Sequence, residues 1–410
     1  MTRHVTRRTL LRGGGVALAG SALSAAALSA RADETMPDEE PVAGPGAKGE
    51  PGSPALHGTL TEPFHGEHQS GVATAQQAHA VFLGLDLADG VDRTDVRRLM
   101  RLLSDDAARM TQGRPPLAAT TDEIPTTPGR LTVTFGFGPG LFDAIGRPED
   151  CPEFVREMPA FSTDRLEEAW GQTDLLVQVC SEDPVTVTYA HRRLARDAAA
   201  YTSVRWVQRG FTVGRGTEPE GTTPRNLMGM RDGSGNESDP DQVATVVWND
   251  GSTHPWLAGG SQMVVRRMPI DMAAWDDVSD EMKEIAFGRR IGSGAPLNGE
   301  KESDVLDRFA TDDQGFLMVE PNSHGALSQA RSGPERMIRR SYNYVADTGE
   351  EGLVFVSFQA DLGTAFVPVQ TRLAESDALN AWTFTQGSAA YAIPPGASEG
   401  SYIGSGLLEG

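Results

Sequence analysis

The run Leu131-Thr132-Val133-Thr134-Phe135-Gly136-Phe137 alternates without a break. Leu131, Val133, Phe135 and Phe137 fall on one side, and Thr132, Thr134 and Gly136 on the other. This period of two predicts a half-buried β-strand. It returns at 175–179 with Leu175, Val177 and Val179, and at 353–358 in Leu-Val-Phe-Val-Ser-Phe. Segments 93–110, 184–200 and 271–287 read as amphipathic helices. No fixed short period repeats, which excludes a solenoid. Strands and helices mix in two similar sets, 64–215 and 220–410. The sequence therefore predicts an α+β protein of two sandwich-like halves with antiparallel sheets.

Upstream, the chain begins as an address. Thr6-Arg7-Arg8-Thr9-Leu10-Leu11 is a twin-arginine pair followed by leucines, and an apolar run spans Val16 to Ala30. Ala30-Arg31-Ala32 offers small residues for a peptidase. Basic, apolar and small-residue regions in this order read as a bacterial export signal over 1–32. A membrane anchor is the alternative, but the run is short of the ~20 residues needed to span a bilayer. No cysteine lies just beyond it to carry a lipid, so no stable membrane anchor is expected. Residues 33–58 hold five Pro, five Gly and six acids with no aromatic. Such a stretch cannot bury enough surface to offset its ordering entropy. The expected organisation is a signal (1–32), a disordered acidic Pro/Gly linker (33–63), an N-terminal domain (64–218) and a C-terminal domain (219–410).

Composition narrows the function. The 410 residues carry a net charge of -21, and removing 1–32 takes five arginines and no acid, moving it to -26. An acidic chain lacks the basic face that a general nucleic-acid binder needs. The two cysteines, Cys151 and Cys180, exclude a disulfide scaffold, a Cys-based zinc site, an iron–sulfur cluster and covalent Cys-x-x-Cys-His haem attachment. Whether they pair is left open. The twin-arginine route exports folded proteins and is typically used when a cofactor is inserted before export.

The densest candidate for chemistry is Asn226-Leu-Met-Gly229-Met-Arg231-Asp232-Gly233-Ser234-Gly235-Asn236. Its glycines let backbone pack close to a flat or charged ligand, although, read alone, a tight turn is the stronger explanation. A calcium loop fails because Glu237 and Val243 stand where Gly and Glu are required. A phosphate loop fails because no Gly-Lys-Ser/Thr comes after the glycines. There is no His-Glu-x-x-His zinc motif and no Gly-x-Ser-x-Gly elbow. Of the seven histidines after the signal, His324 stands apart by its downstream neighbours: Arg331, then Arg339-Arg340 ahead of Ser341-Tyr342-Asn343-Tyr344. A histidine able to ligate iron, with arginines downstream for propionates or a peroxide, is the set of groups a haem pocket requires.

By these residues and motifs, the chain resembles the dye-decolourising peroxidases, in particular the exported twin-arginine branch that includes the deferrochelatase/peroxidases. Gly229-Met-Arg-Asp232-Gly233 matches that family's Gly-x-x-Asp-Gly signature. Further matches are Gly66-Glu67-His68-Gln69-Ser70-Gly71, Gly259 to Arg267, Phe287-Gly288-Arg289 with Gly294-Ala295-Pro296-Leu297, Arg339 to Tyr344, and Phe355 to Asp361. The likeness covers 64–405. It implies two ferredoxin-like halves, each with a four-stranded antiparallel sheet, and a haem b mainly in the C-terminal half. It implies His324 as the proximal iron ligand and Asp361 as the carboxylate on that ring's other N–H. It also implies Asp232 and Arg339 as the distal pair, Gly233, Ser234 and Gly235 as backbone against the haem, and Arg331 on a propionate. Arg339 is preferred to Arg340 on its spacing to the Tyr-Asn-Tyr run. The chain departs from the branch's His-x-Arg-Leu-Ala-Asn-Pro-Arg run, with His324-Gly-Ala-Leu-Ser-Gln-Ala-Arg331 in its place. The stretch from His324 to Arg339 is also about three residues shorter.

The implied chemistry is peroxide reduction through a ferryl intermediate, with dyes or other small electron donors oxidised one electron at a time. Asp232 would shuttle the peroxide proton and Arg339 would face the charge on the leaving oxygen. Tyr342, Tyr344, Tyr391, Trp248 and Trp382 are relay candidates, with core packing the stronger alternative for each. The expected partners are hydrogen peroxide, electron donors and the twin-arginine machinery, with homo-oligomerisation open. The rival readings are a haem-binding deferrochelatase-like protein that extracts iron, and a secreted binding module without haem.

Overall fold

In the computed structural model, β1 (His79–Leu87), α1 (Arg93–Met110), β2 (Thr132–Phe137), α2 (Pro139–Ala144), α3 (Glu153–Arg156), β3 (Leu175–Ser181), α4 (Pro184–Ala198) and β4 (Thr202–Phe211) form the first half. The second half runs α5 (Pro240–Val247), β5 (Ser261–Pro269), α6 (Met272–Asp276), α7 (Asp280–Phe287), α8 (His324–Ser328), β6 (Ile338–Arg339), β7 (Tyr342–Val345), β8 (Glu351–Gln359), α9 (Phe366–Ser376), β9 (Gly387–Ile393) and α10 (Ser405–Leu408). The structure describes residues 57–117, 127–219, 221–237 and 239–410. The expected signal and the linker up to residue 56 lie outside the described residues. Residues 57–63, expected in that linker, are instead tied to the turn before β2. Gly129 N donates to Gly58 O (2.9 Å), Arg130 N donates to Leu60 O (2.8 Å), and the Arg130 guanidinium pairs with Glu62 at 2.7 Å.

Each half is an antiparallel sheet with the same strand order. The first runs β4-β1-β3-β2, and the second runs β9-β5-β8-β7. Helices α1 and α4 make the crossovers of the first half, and α9 makes the second crossover of the other. This is the ferredoxin-like arrangement, present twice. The halves then join edge to edge. Phe137 bridges Ala392, and Phe211 bridges Asn343, so the strands close into one ring. Closure removes the sheet edges that would otherwise invite pairing with other chains. Strands β6 and β7 lie end to end along the same edge of β8.

Ring closure corrects one expectation. The alternating runs were predicted to be half-buried, yet every residue of β2 and β3 is buried. One face of these strands, with Val133, Phe135 and Val177, meets Leu99 and Leu103 of α1 and Leu194 of α4. The other face turns into the ring, where Phe82, Cys180, Tyr342 and Tyr391 pack. The threonines are interior and find partners there. Thr134 Oγ1 donates to Ser70 O (2.7 Å), and Gln77 Nε2 donates to Thr132 Oγ1 (3.1 Å). The predicted helix 271–287 is two helices, because Ser279 breaks the run and caps α7 by accepting from Met282 N. Cys151 and Cys180 are both free and buried.

Candidate active site

Segment 226–236 is pinned at both ends to the β6–β7 edge. Asn343 Oδ1 accepts from Leu227 N (3.0 Å), and its amide donates to Arg225 O (3.2 Å). Asn236 does the same further along: Nδ2 donates to Arg339 O (2.8 Å), and Oδ1 accepts from Arg339 N (3.0 Å). Between these clamps Asp232 N donates to Pro224 O (2.8 Å), which closes a short antiparallel bridge of Arg225 with Arg231. Gly233 takes φ +120°, a conformation that L side chains rarely adopt, so the glycine there is a backbone requirement. Ser234 Oγ donates to Glu302 Oε1 (2.8 Å).

The two adjacent arginines diverge. Arg340 is buried towards the first half, where it donates to Thr74 O and to Gln77 Oε1. Arg339 stays with the Asp232 loop. A Cβ placed on Gly235 would lie 3.7 Å from Arg339 Nη2. The Arg339 Nε is buried, with no hydrogen-bond partner among the described residues.

His324 opens α8 directly after Ser323, whose Oγ accepts from Ala326 N as the cap. Two glycines let the end of α7 approach this short helix. A Cβ on Gly288 would meet Ser323 Oγ at 2.8 Å, and one on Gly325 would meet Phe287 O at 2.8 Å. The Phe287 ring meets the imidazole edge to face at 5.9 Å. His324 Nδ1 lies 2.6 Å from Asp377 Oδ2, and Asp377 is buried. This overturns the expectation for Asp361, whose Oδ1 instead accepts from Thr364 N (2.9 Å) in the turn ahead of α9. The two aspartates stand at opposite ends of α9. The end carrying Asp377 is the one joined to α8, through Ala378 N donating to Asn322 O (2.9 Å).

These residues fit a haem. His324 keeps one ring nitrogen without a hydrogen-bond partner among the described residues, while Asp377 holds the other. Arg339 has a buried N–H with no acceptor among the described residues. On β8, Leu353 and Phe355 are only half-buried, whereas Val354 and Val356 beside them are fully buried. An imidazole with an oriented ring, a cation and apolar side chains that are not fully covered are what an iron porphyrin takes. Among the described residues no cluster of His, Cys, Asp and Glu is suited to a bare metal ion.

Arg331 is exposed, within reach of the charges of Arg372 and Arg308, and its backbone N donates to Glu335 (3.1 Å). Of the relay candidates, Tyr342, Tyr344 and Tyr391 are buried in the ring. Trp248 stacks on His68 with centroids 3.7 Å apart, and Trp382 packs on Trp275 at 5.1 Å. The sequence reading missed Asp377, the clamping role of Asn236 and Asn343, and Glu302. The two asparagines lay inside matched motifs and carried a signal. Asp377 and Glu302 carried none, because their partners are set by tertiary packing.

Comparison with known proteins agrees with this geometry. The family model described as Dyp-type peroxidase, N-terminal, matches residues 69–212, and the one described as Dyp-type peroxidase, C-terminal, matches residues 223–398. A dye-decolorizing peroxidase from Thermobifida fusca is 34% identical over 99% of this chain and 97% of its own. A deferrochelatase from Escherichia coli K12 is 33% identical over 85% of this chain and 87% of its own. Among solved structures, a DyP-type peroxidase from Cellulomonas bogoriensis superposes with a TM-score of 0.84 at 42% identity, covering 87% of this chain and 100% of that one. The doubled ferredoxin-like fold, the Asp232 loop clamped to Arg339 and the matches over both halves lead to one conclusion: the chain belongs to the Dyp-type peroxidase family and is a haem-dependent peroxidase of the dye-decolourising type.

Proposed function

We propose that this chain reduces hydrogen peroxide and oxidises dyes or other small one-electron donors at a haem b held by His324. The observation that carries the proposal is the His324 imidazole fixed by the buried Asp377 carboxylate at 2.6 Å. When bound, the haem supplies the redox centre that accepts oxidising equivalents from peroxide. The chain's own groups do the rest. The Asp377 carboxylate accepts a hydrogen bond from Nδ1–H, so the other ring nitrogen presents its lone pair and gains basicity. Asp232 accepts a peroxide proton and returns it to the departing oxygen. Arg339 faces the charge that develops there. Gly233, Ser234 and Gly235 would bring backbone close to a bound porphyrin, and Arg331 would serve a propionate. Tyr342, Tyr344, Tyr391, Trp248 and Trp382 are the relay candidates for donors too large to enter. Residues 1–32 direct export by the twin-arginine route to an extracellular or cell-envelope destination without a stable anchor. The 33% identity to proteins named deferrochelatase favours a second reading, removal of iron from haem with the porphyrin left intact.

The test is spectroscopic. Wild-type protein purified from haem-replete cells should show a Soret band and consume peroxide with a dye. His324→Ala should lose most of the band. Retention of a wild-type spectrum in that variant would remove His324 from the site. Growth of free-porphyrin fluorescence without peroxide would favour the second reading.

A further inference from the structure

Glu302 holds the chain on both sides of Asp232. Its Oε1 accepts from Ser234 Oγ at 2.8 Å, and its Oε2 lies 3.6 Å from Nε of Arg231, the residue just before the aspartate. That Arg231 Nε is buried with no hydrogen-bond partner among the described residues, so the Glu302 carboxylate is the charge it faces. The Nη1 of Arg231 turns elsewhere, to Thr223 O (2.6 Å) and Glu218 (3.5 Å). Gly233, between Asp232 and Ser234, has no side chain with which to hold the turn. Glu302 is itself fixed from behind. Arg289 Nη1 donates to Gly294 O (2.8 Å) and to Glu302 O (3.2 Å). Gly294 takes φ +74°, and a Cβ there would lie 3.2 Å from Glu302 Cγ and 3.3 Å from Arg231 Cδ, so this glycine packs against both partners.

We infer that Glu302 is a positioning residue for Asp232: one carboxylate, anchored on the 294–302 loop, fixes the turn from Arg231 to Ser234 and so sets where the Asp232 carboxylate stands. The inference rests on the reading of Asp232 as the group that takes the peroxide proton. Such a transfer needs its acceptor within hydrogen-bond reach, and a misplacement of about 1 Å, caused by a change away from the reacting groups, costs about 100-fold. Beyond Ser234 the loop is held by the neutral contacts of Asn236 with the Arg339 backbone. A hydrogen bond onto a carboxylate is roughly twice as strong as a neutral one. The Ser234–Glu302 contact is therefore the firmest hold between Asp232 and that clamp.

The experiment uses the haem-loaded full chain and follows two steps separately by stopped-flow absorbance, reaction with peroxide and re-reduction by a dye. Glu302→Ala removes both contacts. Glu302→Gln keeps an acceptor for Ser234 and removes the charge facing Arg231, and Ser234→Ala does the reverse. Glu302→Ala should slow the peroxide step about 10–100-fold and leave the dye step and the Soret band unchanged. Glu302→Gln and Ser234→Ala should each lose less. In an Asp232→Asn background Glu302→Ala should cost the peroxide step nothing more, because the two act through one another. Hydrogen exchange of segment 229–236 should quicken about tenfold in Glu302→Ala, with the rest of the chain unchanged. A wild-type peroxide rate in Glu302→Ala, an equal loss in the dye step, or an undiminished loss in the Asp232→Asn background overturns the inference alone. Should Glu302→Ala not fold, the same comparisons run with Glu302→Gln and Ser234→Ala, and no loss in either overturns it. A wild-type peroxide rate in Asp232→Asn itself overturns the reading of Asp232, and the inference with it.

Discussion

His324 draws its carboxylate from Asp377, beyond α9, and the physical consequence differs sharply between the two aspartates the chain could have used. A carboxylate on Nδ1–H pushes electron density through the ring and stabilises oxidised iron. Asp377→Asn should therefore raise the ferric/ferrous potential measured by spectroelectrochemistry, and should slow peroxide reduction by about 10–100-fold. Asp361→Asn should leave the potential unchanged and cost only the turn that accepts from Thr364 N. A shift in Asp361→Asn with none in Asp377→Asn would restore the assignment implied by the family pattern. The contrast marks what single residues disclose. Asp232 and Arg339 stood out as candidates because glycines and a Tyr-Asn-Tyr run flank them at short range, and Asn236 joins their two segments. The partner of His324 did not stand out, because it lies 53 residues away and is chosen by how α9 meets α8. Local signals report on neighbours in sequence, and this contact is tertiary.

Elements were legible where one end or face carried a local cause. Helix α1 begins where Asp92 accepts from Thr94 N and Asp95 N, so its predicted start at 93 coincides with the observed one. Strand β1 was missed because its Ala80-Val-Phe-Leu-Gly-Leu85 core is a continuous apolar run, without the threonines that give the equally buried β2 its alternation. The α1–α4 interface also holds a titrating group that no pattern announces. Asp106 on α1 is fully buried, and its Oδ1 accepts from Leu117 N at 3.0 Å. Its other oxygen, Oδ2, is buried without a hydrogen-bond partner among the described residues, and the nearby Asp197 on α4 pairs with Arg193 at 2.8 Å. Burial, and then the neighbouring Asp197, raises the Asp106 pKa from 3.8 to about 6. A carboxyl whose folded pKa is raised stabilises the fold fully below its unfolded value, and that contribution is lost as pH rises through the folded value. Melting of the wild type should thus show a loss of a few degrees between about pH 4 and pH 7. Asp106→Asn, permanently neutral and still able to donate to Asp197, should flatten that slope and melt higher than wild type at about pH 7.5, above the folded pKa. Identical slopes in the two proteins would show that the pair does not share a proton.

At the scale of the molecule, the sequence disclosed two similar halves, but the ring they form depends on single bridges at Phe137–Ala392 and Phe211–Asn343. No propensity or spacing marks such a contact, because either residue would fit an open sheet edge equally well. Charge is the opposite case, fully legible from composition. The chain carries 57 acidic against 36 basic residues, so near neutral pH its field repels anionic aromatic donors while leaving neutral peroxide unaffected. Acidification protonates surface carboxylates near their ordinary values of about 4 and weakens that repulsion. The Asp106–Asp197 pair strengthens the fold over the same range, so the acid limb is not cut short by early unfolding of the first half. Oxidation of a sulfonated dye should consequently be fastest at about pH 4–5. At neutral pH added salt should accelerate it, because screening shortens the reach of the surface charge to about 8 Å at physiological ionic strength. A cationic or neutral donor of similar potential should show neither the salt acceleration nor the same acid gain. Steady-state rates for the three donor types from about pH 3 to 8, each at low and high salt, check this. If the anionic dye is oxidised fastest at neutral pH and without regard to salt, its pH dependence comes from the site and not from the surface.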